Sequence, residues 1–98
     1  MNNLKQTEKI MMLAARCERA DYETAFKKVV DVFRFIDIQE HSNHCKILNI
    51  LYEVKDKNLT YEGVATKMHI SDNALRRYRR SYAQWFIYFL NLQPQNVA

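Results

Sequence analysis

The chain has 98 residues, which is enough for one domain with its own hydrophobic core but too few for two. Apolar residues make up 48% of the chain, which excludes an intrinsically disordered protein, and a single glycine and a single proline leave little material for hairpins. We therefore expect an all-α fold, a single domain of five helices spanning residues 1–98. The formal net charge of the chain is +4.

The two cysteines, Cys17 and Cys45, are too few and too isolated to form a disulfide framework. Both are expected to be reduced thiols, with Cys17 a small residue of the core. The sequence lacks the pattern of a signal peptide and contains no apolar run long enough to span a bilayer. We therefore expect a cytoplasmic protein without membrane contact.

Residues 1–58 are predicted to form three helices that support the rest of the chain. Apolar residues recur at helical spacing over residues 3–18 and again over residues 22–38, where Asp21 is placed to cap the second helix. A third helix is predicted over residues 42–56. Apolar residues nearly encircle it, so we expect it to be the central, buried helix.

Residues 59–80 have the pattern of a helix, a tight turn and a second helix. Thr60 is placed to cap the first helix, and Ser71 to cap the second, because a hydroxyl oxygen accepts from the free amides of a first turn. The side chains predicted to pack between the two helices are small or apolar: Val64, Ala65, Met68, Ile70, Leu75 and Tyr78.

Together with Ser71, these residues resemble the helix-turn-helix of bacterial and phage transcription regulators, especially that of sigma-factor region 4. One position departs from the resemblance. Such motifs usually carry glycine in the turn, where a positive φ is common, and this chain has His69. The resemblance implies a small transcription regulator, of phage or mobile-element type, that binds double-stranded DNA through its second helix.

The positive charge is concentrated on that second helix. Residues 1–58 carry ten basic and nine acidic residues, whereas residues 59–98 carry five and two, and four of those five are arginines between positions 76 and 80. A local basic patch suits a polyanion, although it could also be no more than a solvated face.

The resemblance assigns two sets of DNA contacts. The start and outward face of the second helix would reach bases, with Asn73 suited to adenine and arginines suited to guanine or phosphate; Arg79 lies nearer the side of the helix. The supporting helix would contact backbone phosphates. The predicted DNA-binding residues are Ser71, Asn73, Arg76, Arg77, Arg80, Thr60, Tyr61 and Lys67.

The second helix of the motif is predicted to continue to residue 92, so that residues 59–92 form one unit and residues 93–98 a tail. Its last turns are apolar on several faces, which indicates either burial in the core or a homodimer. The predicted dimer interface is Trp85, Phe86, Phe89 and Leu90. A dimer could place two recognition helices in major grooves about 34 Å apart.

Other classes of site have weaker support. His41, His44 and Cys45 have the residue types of a zinc site, but no second ligand pair follows, so we predict no metal and no cofactor. One glycine allows no phosphate-binding loop, and no Ser/His/Asp set is spaced for catalysis, so we predict no catalytic residue and no enzyme. The alternative function is a protein-interaction module that binds an acidic partner, such as RNA polymerase or another transcription protein.

Overall fold

A computed structural model describes residues 3–92, which form five α-helices and no β-strand within that range. The all-α prediction is confirmed, and the predicted tail of residues 93–98 lies outside the described residues. The helices are α1 (Leu4–Ala15), α2 (Ala20–Glu40), α3 (His44–Leu48), which continues as a π-helical turn (Asn49–Glu53), α4 (Tyr61–Met68) and α5 (Asp72–Leu92).

Three helices end on a residue in the left-handed conformation that glycine usually provides. Cys17 has a φ of 58°, His41 of 54° and His69 of 58°. This conformation ends α1 earlier than predicted and leaves Cys17 exposed in the turn, so the prediction of a core cysteine is wrong. The single glycine, Gly63, lies inside α4 instead, where an added Cβ would lie only 3.0 Å from the Thr60 hydroxyl oxygen.

The start of α2 also differs from the prediction. Arg19 is the N-cap residue, and its guanidinium binds the Asp21 carboxylate at 2.9 Å, so that Asp21 lies in the first turn and does not cap the helix. A carboxylate in a first turn remains favourable there because it faces the positive end of the helix dipole.

The carboxylate of Asp37 determines where α3 begins. It accepts hydrogen bonds from the Ser42 hydroxyl at 2.7 Å and from the backbone N–H groups of His44 at 2.7 Å and Cys45 at 2.8 Å. Partial burial alone would raise the pKa of Asp37, but these bonds outweigh it and hold that pKa below its usual range. The helix therefore starts at His44, two residues later than predicted.

The prediction that the third helix is the central, buried helix is wrong. Ile47, Leu48 and Leu51 are buried, whereas Lys46 and Asn49 on the other side are exposed. The two 21-residue helices, α2 and α5, form the centre of the fold, and α1 and α3 pack against them.

Aromatic side chains join α2 to α5. The ring centroids of Phe33 and Tyr82 lie 4.8 Å apart in an edge-to-face arrangement, and those of Tyr22 and Phe86 lie 6.5 Å apart. Phe33 and Phe86 are buried, and full burial of such a side chain is worth about 1.5–3 kcal/mol. The inner face of α5 is therefore held firmly, and its opposite face is free for other roles. The largest fully buried side chains are Tyr52, Tyr82, Phe86, Met11, Leu48, Leu75, Val29 and Val64.

Candidate nucleic-acid interface

Both predicted caps of the α4–α5 unit are present. The Thr60 hydroxyl oxygen accepts from the N–H of Gly63 at 3.0 Å, and the Ser71 hydroxyl oxygen accepts from the N–H of Ala74 at 3.0 Å. Val64 of α4 and Leu75 of α5 are both buried. Because α4 packs mainly against α5, these local contacts set how the two helices sit on one another.

His69, in the turn between α4 and α5, has the positive φ expected at the position where helix-turn-helix motifs usually carry glycine. With φ of 58° and ψ of 42°, His69 donates its N–H to the carbonyl of Thr66, and Ile70 donates to that of Ala65. These two bonds form a Schellman cap, in which the residue after the helix is left-handed. A histidine takes this conformation at a cost in conformational energy that a glycine would avoid.

Polar side chains line the outward face of α5. Asn73, Arg76, Arg77 and Arg80 are exposed and follow one another at the three- and four-residue spacing that places side chains on one face of a helix. The predicted base-reading residues therefore do share one surface. Ser71 lies at its start, where its hydroxyl oxygen is already engaged in the cap.

The seven arginines of the chain fall into two groups. Arg16, Arg19, Arg34 and Arg79 each donate to a carboxylate or a backbone carbonyl of the protein. By contrast, the other three form no salt bridge and no side-chain hydrogen bond with any residue of the described range 3–92. These three are Arg76, Arg77 and Arg80, which share the outward face of α5.

Arg79 has a different role from its neighbours because it faces α1. Its Nη2 lies 2.6 Å from Oε1 of Glu8, its Nε lies 3.1 Å from Oε2, and its guanidinium carbon lies 3.6 Å from the ring centroid of Tyr61. Burial lowers the pKa of Arg79, but the hydrogen bonds and charge of Glu8 outweigh it and raise that pKa overall. Arg79 therefore stays charged and is neutralised within the fold.

Tyr52 also binds Glu8, so that Glu8, Arg79 and Tyr52 form a buried cluster. The Tyr52 hydroxyl donates to Oε2 of Glu8 at 2.5 Å, and burial is the main reason that the pKa of Tyr52 is raised. The sequence pattern does not predict that Glu8 and Tyr52 form a polar contact. The available signal was an acidic residue within the apolar stripe of α1, four residues after Leu4 and three before Met11.

The predicted phosphate-contacting residues are only partly brought together. Tyr61 is half exposed and lines a groove between the starts of α4 and α5, together with Arg76 and the carboxylates of Glu62 and Asp72. Thr60 precedes this groove, with its hydroxyl oxygen engaged in the cap. Lys67 is exposed in the last turn of α4, at the other end of that helix.

The predicted dimer residues divide between core and surface. Phe86 is fully buried within the chain, so it has no surface to offer a partner and is removed from the predicted interface. Trp85 is 36% exposed and stacks on Phe89, with ring centroids 5.6 Å apart. Leu90 is half-buried, and Tyr88, which the prediction omitted, is 50% exposed.

The residues with the ligand types of a zinc site, His41, His44 and Cys45, differ in their surroundings. Nδ1 of His44 is hydrogen-bonded to the Tyr82 hydroxyl at 2.7 Å and the residue is half-buried, whereas His41 is exposed. No three His, Cys, Asp or Glu side chains of residues 3–92 are grouped closely enough to hold a metal ion. Within the same residues, no helix is both long and apolar enough to cross a membrane.

Comparison of the chain with protein-family models, with curated proteins and with solved structures gives no match. The resemblance to helix-turn-helix regulators therefore stays a prediction, and its support comes from the geometry of the α4–α5 unit alone.

Proposed function

We propose that this protein binds double-stranded DNA as a small transcription regulator, with the N-terminal half of α5 in the major groove. The observation that carries the proposal is the outward face of α5. Three arginines that have no carboxylate partner among residues 3–92 follow Asn73 on that face, whereas the other four arginines are engaged within the fold. A free guanidinium on a rigid helix is suited to bidentate contact with phosphate or guanine.

The shape of the α4–α5 unit supports the same proposal. The major groove is about 12 Å wide and admits one α-helix, provided that the supporting helix leaves the outward face clear. Here α4 packs against α5, where Leu75 is buried, and Arg77 and Arg80 remain exposed. Tyr61, at the start of α4, and Lys67, in its last turn, are assigned to the phosphate backbone.

The residues of the outward face are assigned different tasks. Asn73 is in the first turn of α5, where an amide can pair with the N6 and N7 groups of adenine. Arg76, Arg77 and Arg80 either read guanine or neutralise phosphates, and each phosphate contact adds about 0.9 to the slope of log K against log salt. Ser71 acts mainly as the cap that orients this turn.

Arginine-to-alanine variants test the proposal. Affinity for a duplex selected from a random library is measured against salt concentration for the wild type and for the Arg76→Ala, Arg77→Ala and Arg80→Ala variants. Replacing an arginine that reads a base is expected to cost about 1–3 kcal/mol of binding free energy. Replacing one that binds phosphate is expected to lower the slope of log K against log salt by about 1. Thermal melts check that each variant is folded.

The matched control is Arg34→Ala, which removes the same charge from an exposed ion pair on α2. We expect it to leave DNA binding unchanged. If the wild type enriches no sequence, or if all three variants on α5 bind like Arg34→Ala, the DNA-binding proposal is wrong. An acidic transcription protein, including a polymerase subunit, would then be the next ligand to test against the same variants.

A further inference from the structure

A second pair of basic side chains lies close to the proposed interface, on α1. Lys5 and Lys9 are exposed and one helical turn apart, so that they are about 6 Å apart along the helix axis. They line a groove whose other wall includes Tyr61, the first residue of α4. Neither lysine forms a salt bridge within the described part of the chain.

Tyr61 connects this groove to α5. It also lines the groove that contains Arg76 and Arg79, so the two grooves are adjacent on the surface. Basic side chains therefore extend from the outward face of α5, past Tyr61, to Lys5 and Lys9. Two carboxylates, Glu62 and Asp72, lie in the first of these grooves beside Arg76.

The third carboxylate in this region is already neutralised. Glu8 lies between Lys5 and Lys9 on α1, but it is 2% exposed and binds both Arg79 and Tyr52. The salt bridge has a second consequence. Because Glu8 ties α1 to α5, the two lysines are held in a constant position relative to the recognition helix.

We infer that Lys5 and Lys9 bind the phosphate backbone of the DNA duplex beyond the segment contacted by α5, with Tyr61 between the two contacts. This inference rests on the proposed function. It adds α1 as a third DNA-contacting helix, whose contacts would be independent of base sequence because a lysine ammonium binds phosphate as a point charge. Phosphates of one strand follow at 3.4 Å along the duplex axis, so two lysines one turn apart can reach different phosphates.

The test is a salt titration with a Lys5→Gln/Lys9→Gln variant, on a long duplex and on a short duplex cut back to the segment that α5 protects. On the long duplex, we expect the slope of log K against log salt to fall by about 2, because two phosphate contacts are lost and each contributes about 0.9. Affinity should fall by the same factor for selected and random sequences. On the short duplex, the variant and the wild type should bind alike.

The control variant, Lys27→Gln/Lys46→Gln, removes two exposed lysines that line neither groove, and its slope should match the wild type. An unchanged slope for Lys5→Gln/Lys9→Gln on the long duplex would overturn the inference, as would a loss equal to that of the control. If Arg77→Ala still weakens binding in that case, the proposed function stands and only the α1 contact fails. A wild type that binds no duplex overturns both.

Discussion

The Glu8 carboxylate on α1 and the Arg79 guanidinium on α5 form a two-point salt bridge between residues 71 positions apart in the chain. The two side chains are only 3% and 15% exposed. Four arginines lie between positions 76 and 80. Arg79 is engaged in this contact and stabilises the fold, whereas the other three face outward. The salt bridge also sets the position of α1 beside α5.

The first prediction concerns this salt bridge. Glu8→Gln is expected to lower the free energy of unfolding by about 3–5 kcal/mol, because it leaves the Arg79 charge buried without a partner. A Glu8→Leu/Arg79→Leu double variant should lose less than the sum of the single changes, since it removes both charges. Urea denaturation of Glu8→Gln measures the first effect, and denaturation of the wild type, the two leucine single variants and the double variant measures the second.

An exposed ion pair provides the control for that cycle. Asp31→Asn removes the partner of Arg34 on the surface of α2, where such pairs contribute at most about 1 kcal/mol. A loss for Glu8→Gln no larger than that for Asp31→Asn would show that the buried pair contributes little to stability.

The second prediction concerns the left-handed turn. His69→Gly should raise the free energy of unfolding by about 1 kcal/mol, because glycine takes a φ of 58° without the steric cost of a Cβ. Thermal melts or urea denaturation detect such a change. Lys67→Gly, two residues earlier and within α4, should instead destabilise by about 1 kcal/mol. A His69→Gly protein less stable than the wild type would mean that the His69 side chain makes a stabilising contact.

The third prediction is a loss of stability on acidification. Burial is the main reason that the pKa of His44 is lowered from its ordinary 6.5, even though Asp37 and Glu40 oppose the shift. Because the unfolded chain then takes up the proton more readily, stability contributed by neutral His44 is complete above pH 6.5 and is lost as the pH falls through the lower folded pKa.

Denaturation curves recorded across that pH range test this prediction. His44→Gln should reduce the pH dependence, whereas the same change at the exposed His41 should leave it in place. An identical pH dependence in the wild type and His44→Gln would assign the effect to other groups.

The fourth prediction addresses assembly. The homodimer through the last turns of α5 remains a prediction, with Trp85, Tyr88 and Leu92 now its exposed members. Sedimentation at micromolar concentration should show a dimer for the wild type and a folded monomer for Trp85→Ala. Phe86→Ala should destabilise the fold itself by about 3–5 kcal/mol, because Phe86 belongs to the core. A wild type that sediments as a monomer would contradict the dimer.

Much of the local structure is determined by the sequence alone. The helical spacing of apolar residues predicts five helices, the hydroxyls of Thr60 and Ser71 predict two helix starts, and the missing glycine points to strain at His69. The spacing of the residues in the sequence also predicts the arginine-bearing face of α5. All of these features depend on interactions between residues at most five positions apart, so no knowledge of the remaining chain is needed.

Only the tertiary structure decided which of several similar side chains became buried. Arg79 and Arg80 are neighbours in sequence, but successive helical residues point about 100° apart, and only Arg79 faces α1. The same holds for Trp85 and Phe86, of which only the second faces the core. A helix pattern defines faces but not the neighbours that cover them. The packing of α1 and α2 on α5 therefore decided which arginines of α5 have no ion-pair partner among residues 3–92.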